Sequence, residues 1–545
     1  MSNWSISRVL VPRIHFRFDS MSSRCFRAFS FFGSLNLRMT VGSVATATTT
    51  TTSYELNGHY GGETQSTGRE RDFDFPVARF SSLLDMTFRS NSVDEFKDLM
   101  YKMQAVRRHI VSSLLSSQTV KSDWIHLLKH TFNILNDDNT KDYQREMTTS
   151  SGEKFSVNIK DEIVGLEKDL KFLEELEHVQ EEHMFTALEH VPLSEVLQHY
   201  HPISTEAFQK ERDQCVEFLR NFVRSAIDEG RKPVMITDWD GTMKDYCSQY
   251  ATNLQPIYSA VGMARFAENF TRLTAVLTAG PLGSPNGTED NTSESIGAVG
   301  PGILHLTALP IDGPVVFSGS WGREWWLRGQ RVVHDDGIST EGIDALERVN
   351  HEMRTLLSLG EYSQFGLVGS GVQRKVDRLT LGVQTVCKHV HPELSNRYQD
   401  EVKERMLRVD PNKEILHFDP STELEVEIVV HNDGTIWNKA NGVDRLIRTV
   451  GDTLEPPGRV LICGDTSSDL PMVQHAVEAN PGGTMAMFVG IKPELHERVK
   501  QMVNNPKNCC FISCPDVFHA AVTQLLRDPK VGLGIVPSTQ PSEPQ

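Results

Sequence analysis

The run Val234-Met-Ile-Thr-Asp238-Trp-Asp240-Gly-Thr242 sets two carboxylates one residue apart, just past a short apolar segment. Such a segment reads as a buried strand, and in an open α/β sheet ligands gather at the carboxyl ends of the strands. Of two acids placed there, one can attack phosphorus while the other protonates the leaving oxygen and then activates water. Gly241 allows a sharp turn away from the strand. Taken alone, the run also suits an ordinary turn, so its meaning depends on what accompanies it.

Three further elements accompany it. Leu277-Thr278-Ala-Gly280 ends an apolar run with a hydroxyl and a glycine, suited to donating hydrogen bonds to a phosphoryl oxygen, although Thr-Ala-Gly also occurs in plain strand-to-helix turns. Asn438-Lys439-Ala-Asn-Gly442 opens an amphipathic helix carrying Val443, Leu446, Ile447 and Val450. A lysine at a helix N-terminus opposes the macrodipole. Neutralising a nucleophile and a phosphate would justify it, whereas a solvated lysine is the ordinary alternative. Leu461-Ile-Cys-Gly464-Asp465-Thr-Ser-Ser-Asp469 again places two acids beyond a buried strand. Hard oxygen donors in such a place suit Mg2+, which keeps several waters and bridges to phosphate. The ordered set of Asp-x-Asp, Thr, Lys and Asp-x-x-x-Asp is far more specific than any member.

These residues need a scaffold, and the chain supplies one. The apolar runs 234–236, 273–277, 315–317, 460–463 and 485–489 alternate with helical stretches, the mark of a parallel sheet covered on both faces. Between 326 and 430 the texture changes. Residues 372–386 and 423–430 read as strands and 392–406 as a helix, an α+β unit inserted into the sheet domain. Residues 282–300, rich in Gly, Ser, Asn and Thr, read as a loop. Upstream, Ser92-Val-Asp-Glu95 is a capping box before an apolar stripe of Phe96, Leu99, Met100, Met103, Val106, Ile110 and Leu114. Further stripes hold Trp124, Leu127, Leu128, Phe132 and Leu135, then Ile163, Leu166, Leu170, Leu173 and Leu176 among many acids. Three such helices pack as a small bundle, which reads as a structural or docking module for a partner protein or for self-association. The expected layout is a disordered leader (1–75), the bundle (76–205), an α/β core (230–325 and 431–530), the inserted unit (326–430) and a disordered tail (531–545).

Bulk properties bound the partners. At 545 residues, 39% of them hydrophobic and 23% charged, the chain fits a multidomain globular protein. A net charge of −17 argues against nucleic acid but not against a small phosphorylated substrate, which a metal ion and a few cations can neutralise locally. Eight cysteines lack metal-ligand spacing, so reduced thiols and a cytoplasmic location are expected. The Asn-x-Ser/Thr sequences at Asn269, Asn286 and Asn291 are accordingly discounted as glycosylation sites. No apolar stretch approaches the roughly 20 residues needed to span a bilayer, so no membrane partner is expected. The first forty residues hold Arg8, Arg13, Arg17, Arg24, Arg27 and Arg38 with Asp19 as the one acid. That composition is similar to a mitochondrial transit peptide, but an unstructured leader, or a start at Met21 or Met39, is the preferred reading. A threonine-rich tract at 46–52 should be disordered.

Over 232–526 the four elements resemble the phosphatases of the haloacid dehalogenase superfamily. Thr237-Asp-Trp-Asp-Gly-Thr-Met-Lys-Asp245, Gly319-Ser-Trp-Gly-Arg-Glu-Trp-Trp326 and Gly369-Ser-Gly-Val-Gln-Arg-Lys-Val-Asp-Arg378 narrow the resemblance to the trehalose-phosphatase family of nematodes, including its helical N-terminal domain. The resemblance implies a Rossmann-like core with a parallel sheet, an α+β cap of the C2 type and an all-α N-terminal bundle. It implies hydrolysis of trehalose-6-phosphate through an aspartyl phosphate on Asp238, with Asp240 as general acid and then base. Mg2+ would be held by Asp238, the carbonyl of Asp240 and Asp465, with Asp469 ordering its waters and Lys439, while Thr278 and Lys439 grip the phosphate. In the cap, Gln373, Arg374, Lys375 and Glu425 would bind the sugar, although charged residues on a strand face are ordinarily just solvated. Thr466 and Leu470 stand where many relatives carry Asp and Glu, and Trp321 where many carry His, which leaves the metal ligands intact but loosens the transfer of sugar contacts. Alternatives are a phosphatase for another sugar phosphate, and a scaffold built on a relic domain. Relics lose nucleophiles or ligands, and all of them are present here. No sugar-nucleotide-binding synthase domain is recognisable.

Overall fold

The computed structural model describes residues 89–149, 151–180, 187–283, 302–358, 360–385, 389–420, 423–431 and 437–528, all within one compact unit. The leader, the threonine tract, the tail, Asn286, Asn291, Val386 and most of the 282–300 loop lie outside the described residues.

The first helix begins where its cap sequence puts it. Ser92 Oγ accepts the Glu95 amide (3.3 Å), and the Glu95 carboxylate reaches back to the amide of Asn91 (3.1 Å), one residue beyond the expected partner. Helices α1 (Val93–Leu115), α2 (Ser122–Leu135) and α3 (Lys160–Gln180) bury most of their expected stripes, with Leu170 and Phe132 only partly covered. Between α2 and α3 the chain adds a three-stranded antiparallel sheet, β1 (Thr140–Lys141), β2 (Gln144–Thr148) and β3 (Lys154–Asn158). Met147 and Val157 are its buried apolar residues, too few to announce a period of two in the sequence. Helix α4 (Thr205–Val223) then leads to the core.

The core opens with β4 (Val234–Thr237), helix α5 (Ile257–Phe270), β5 (Leu273–Leu277) and β6 (Val315–Gly319), followed by β7 (Glu324–Leu327) and β8 (Gln330–Val333). An inserted cap follows: α6 (Thr340–Leu357), β9 (Val372–Arg374), β10 (Arg378–Gly382), α7 (Pro392–Val409), β11 (Leu416–Asp419) and β12 (Glu425–Val430). Back in the core come α8 (Lys439–Val450), β13 (Val460–Gly464), α9 (Leu470–Ala479), β14 (Thr484–Val489), α10 (Pro493–Val503), β15 (Cys509–Ile512) and α11 (Pro515–Leu526). The core sheet runs β15-β14-β13-β4-β5-β6-β7-β8, parallel except at β7 and β8. Residues 326–333, expected in the inserted unit, therefore belong to the core sheet. Arg328 and Gly329, with φ of 54° and 74°, form the two-residue turn that matches strand twist and folds β8 back onto β7.

Strand alternation divides the core into two packed layers. Val234 and Ile236 join the cluster under α8, α9 and α10, while Met235 joins the cluster under α4, α5 and α11. The second cluster continues without a break into the helical domain through Phe96, Met103 and Leu166. In the cap, the antiparallel sheet β11-β12-β10-β9 lays Leu379, Leu381, Val426 and Ile428 against Leu346, Val349, Tyr398 and Val402 of α6 and α7.

Candidate active site

Parallel pairing decides which residues meet. Thr237 pairs with Cys463 on one side and Val276 on the other, and the Asp238 amide donates to the Cys463 carbonyl (2.9 Å). The ends of β4, β5 and β13 thus deliver Asp238, Thr278 and Asp465 to one rim of the sheet. This rim lies at the point where strand order reverses direction, where α/β sheets bind ligands. Asn438 caps α8 by accepting the Ala440 amide (2.8 Å), which places Lys439 on the first turn, facing the same rim.

Lys439 Nζ donates to Asp238 Oδ1 and to Asp469 Oδ1, each at 2.6 Å, in a buried setting. Burial works against its charge, but the two carboxylates prevail and raise its pKa. The other oxygen of Asp469 accepts the amides of Asp465 (3.1 Å) and Thr466 (3.0 Å) and the Thr466 hydroxyl (3.2 Å). Asp469 is therefore engaged at both oxygens, holding Lys439 with one and the Asp465 loop with the other. Carboxylate oxygens of Asp238, Asp465 and Asp469 lie within 4.8 Å of one another. Such crowding of like charges away from water resists ionisation. Asp238 is pushed up to about 6, by burial first, with Lys439 opposing and Asp469 adding. Asp465 is pushed up to about 8, by burial and then by Asp238 and Asp469. Three hard oxygen donors held together against their own repulsion are what a small divalent cation fits.

Asp240 points to a separate set of partners. Its Oδ1 accepts Asn253 Nδ2 and lies 3.0 Å from Lys244 Nζ. Thr242 Oγ1 donates to Asp238 Oδ2 (3.3 Å). Thr278, also buried, accepts the Gly280 amide at Oγ1 (3.2 Å), which leaves its own hydroxyl proton free to donate to a phosphoryl oxygen. Gly241 has φ of 77°, and a Cβ there would meet Asp465 Oδ2 at 2.7 Å. Gly241→Ala is accordingly expected to displace Asp465 and raise the divalent-cation concentration for half-maximal activity about tenfold or more, read from an activity titration. An unchanged titration would show that this turn does not seat Asp465.

The cap separates its expected residues by strand parity. Gln373 pairs with Thr380, Thr380 with Glu427, and Gly382 with Glu425, so Gln373, Thr380, Glu425 and Glu427 share the face opposite the helices. Arg378 and Thr380 donate to Glu427 (2.9 and 2.8 Å), Lys375 Nζ lies 3.7 Å from Glu427, and Ser370 donates to Glu425. Lys375 is lowered by burial, with Glu427 and Glu425 opposing. Arg374 is placed on the other face. It is fully buried, 3.3 Å from Glu347 of α6, and its guanidinium also donates to the carbonyls of Lys375 and Val376. It ties the cap sheet to its helix and does not join the polar face. Tyr246 follows the catalytic turn. Although 58% exposed, its phenol is raised to about 12, by partial burial and then by Asp240, Glu425 and Asp465. The cap abuts the rim of the core, since the Val376 amide donates to Ser320 Oγ (3.2 Å) and the next residue, Trp321, donates its amide to the Thr278 carbonyl (3.0 Å).

Residues missed in the sequence are Asn253, Lys244 and Thr242 around the two core carboxylates, and Arg378, Thr380 and Glu427 in the cap. Glu427 and Arg378 were within reach, since Glu425 and Glu427 sit two apart on one strand and so on one face. Nothing local marks Asn253.

Known proteins resemble this chain over most of its length. A family model described as trehalose-6-phosphate phosphatase, C-terminal, matches residues 235–518, and one described as the trehalose-6-phosphate phosphatase N-terminal helical bundle domain matches residues 92–190. A trehalose-phosphatase of Brugia malayi is 58% identical over 81% of this chain and 87% of its own length. One of Caenorhabditis elegans is 46% identical over 81% of this chain and 98% of its own. A solved Aspergillus fumigatus trehalose-6-phosphate phosphatase aligns with 57% of this chain and 98% of its own, at 13% identity and a TM-score of 0.31.

Proposed function

The chain belongs to the trehalose-6-phosphate phosphatase family, and from that premise we propose that it hydrolyses trehalose-6-phosphate to trehalose and phosphate, with Asp238 as the attacking group. The observation that carries the assignment is the contact of Lys439 with both Asp238 and Asp469 at 2.6 Å, beside Asp465. It holds the nucleophile's charge in a site otherwise hostile to it.

An oxygen of Asp238 forms a bond to phosphorus as the bond from phosphorus to the sugar oxygen breaks. Asp240 gives its proton to that departing oxygen. Water then attacks the aspartyl phosphate, Asp240 takes back a proton, and phosphate leaves with Asp238 restored as carboxylate. The Thr278 hydroxyl and the Lys439 ammonium bind the phosphoryl oxygens and orient them for in-line displacement. Mg2+, which Asp238, the carbonyl of Asp240 and Asp465 would hold with Asp469 behind them, would supply Lewis-acid neutralisation of the phosphate charge when bound. Gln373, Lys375 and Glu425, together with Glu427 and Arg378, offer the convergent donors and acceptors that a polyhydroxylated leaving group needs.

Among the described residues no helix is long and apolar enough to cross a membrane; the free thiols of the described cysteines support a cytoplasmic enzyme. Phosphate release from a panel of sugar phosphates, with and without magnesium, tests the substrate. Trehalose-6-phosphate is expected to exceed glucose-6-phosphate in kcat/KM by about tenfold or more, with activity lost on chelation. Equal rates on both would make the enzyme a phosphatase for another or a broader set of sugar phosphates.

A further inference from the structure

Helix α3 of the helical domain turns a row of ionisable side chains toward the core, and nearly all of them grip one stretch of chain. Lys168, 3% exposed, lies 2.6 Å from Asp245 and 2.7 Å from Asp516, whose other oxygen accepts the Tyr258 hydroxyl (2.7 Å). Asp169 accepts the Ile257 amide at the start of α5 (2.7 Å) and pairs with Arg107 of α1 (2.6 Å). Glu162 accepts the Thr252 hydroxyl (2.5 Å), and Asp161 accepts both the amide and the hydroxyl of Ser248 (3.1 and 3.2 Å). Just before the helix, the Asn158 carbonyl accepts the Gln249 side chain (2.6 Å).

Apart from the pair with Arg107, each of these links fastens the segment 245–257 or its buried neighbour Asp516. That segment leads from the catalytic turn to α5, and it carries Asn253, whose side chain donates to Asp240. It also meets the cap, since the Tyr250 amide donates to the Gly369 carbonyl (2.9 Å). Glu162, Lys168, Asp169 and Arg107 are all buried. Burying ion pairs adds little net stability compared with apolar packing, but a satisfied buried network fixes one geometry. A helical domain whose task was to dock partners through its outer faces would have no need of such a network on its inner one.

We propose that the helical domain is a positioning device for the reaction: α3 clamps the 245–257 segment, and through Asn253 that segment aims Asp240 at the leaving oxygen. Asp161, Glu162, Lys168 and Asp169 are positioning residues, because none touches the reacting atoms. The proposal rests on the reading of Asp240 as the proton donor.

The test uses the full chain. Replacing Lys168 would strand buried Asp516, so the variants are Asp245→Ala, whose side chain is 48% exposed, and Asp161→Ala, with Asp245→Glu as the conservative rescue. Turnover of trehalose-6-phosphate is expected to fall about 10- to 100-fold in kcat with KM nearly unchanged. The first-turnover burst from p-nitrophenyl phosphate, whose leaving group needs no proton, should change less than about threefold. Asp245→Glu should recover most of the loss. Equal losses on both substrates, or full activity in both alanine variants, would overturn the proposal and leave α3 a purely structural support. If the unaltered enzyme ignores trehalose-6-phosphate, the substrate reading fails alone, and the same comparison is made on the sugar phosphate it does cleave.

Discussion

Asp238→Asn is expected to lower magnesium-dependent phosphate release by a factor of about 10⁴ or more while the fold stays intact. An amide at this position keeps the shape of the site but lacks the anionic oxygen that must bond to phosphorus. The fold should tolerate the change because Asp238 is a member of an overcrowded acidic cluster. Its pKa is raised to about 6, by burial first and with Asp469 adding, so the charged form is not favoured by folding. Lys439 retains Asp469 at 2.6 Å, so no buried cation is stranded. Phosphate release and circular dichroism check the two halves of the prediction. Turnover within tenfold of the original would remove the mechanism, because Asp240 faces Asn253 and Lys244 and cannot take over the attack.

Asp465→Asn should separate activity from stability in opposite directions. Activity is expected to fall by about 10³-fold or more, because the variant loses an anionic ligand where phosphate charge must be neutralised. The chelated, metal-free protein should instead become more resistant to heat. Asp465 is pushed up to about 8, by burial and then by Asp238 and Asp469. Its folded pKa thus exceeds its unfolded value near 4, so the folded state holds the proton more tightly and pays for losing it. The penalty is absent below the unfolded pKa and grows as pH rises toward the folded one. The variant's gain in Tm should therefore be negligible near pH 4 and largest at about pH 8, in chelator. A lower Tm at pH 8 would mean that Asp465 is a structural carboxylate rather than one held in place for a cation.

The core was legible because its signals are local and repeated. The apolar runs of β4, β5 and β13 lead into Asp238, Thr278 and Asp465, and parallel pairing sets those ends on one rim, where Lys439 and Asp469 join Asp238 and Asp465. The cap was legible in its strands and in α7 but not in every side chain. Strict alternation through 373–375 already sets Arg374 opposite its neighbours, and the structure buries it against α6. The hairpin of β7 and β8 escaped because Trp325, Trp326 and Val332 suit a core strand as well as a cap strand. Least legible was α3, whose acids and Lys168 look like a solvated face in sequence. Their partners at 245–257 and 516 are distant in the chain, and no periodicity reports a contact of that kind.

Everything in the catalytic account depends on Asp238 and Asp465 sharing one divalent cation. Anomalous diffraction from crystals of the full chain soaked in Mn2+ reads this directly. One strong peak is predicted within bonding distance of carboxylate oxygens from both residues, absent from crystals of Asp465→Asn. A peak bound to only one of them, or a peak elsewhere with this site empty, would contradict the account.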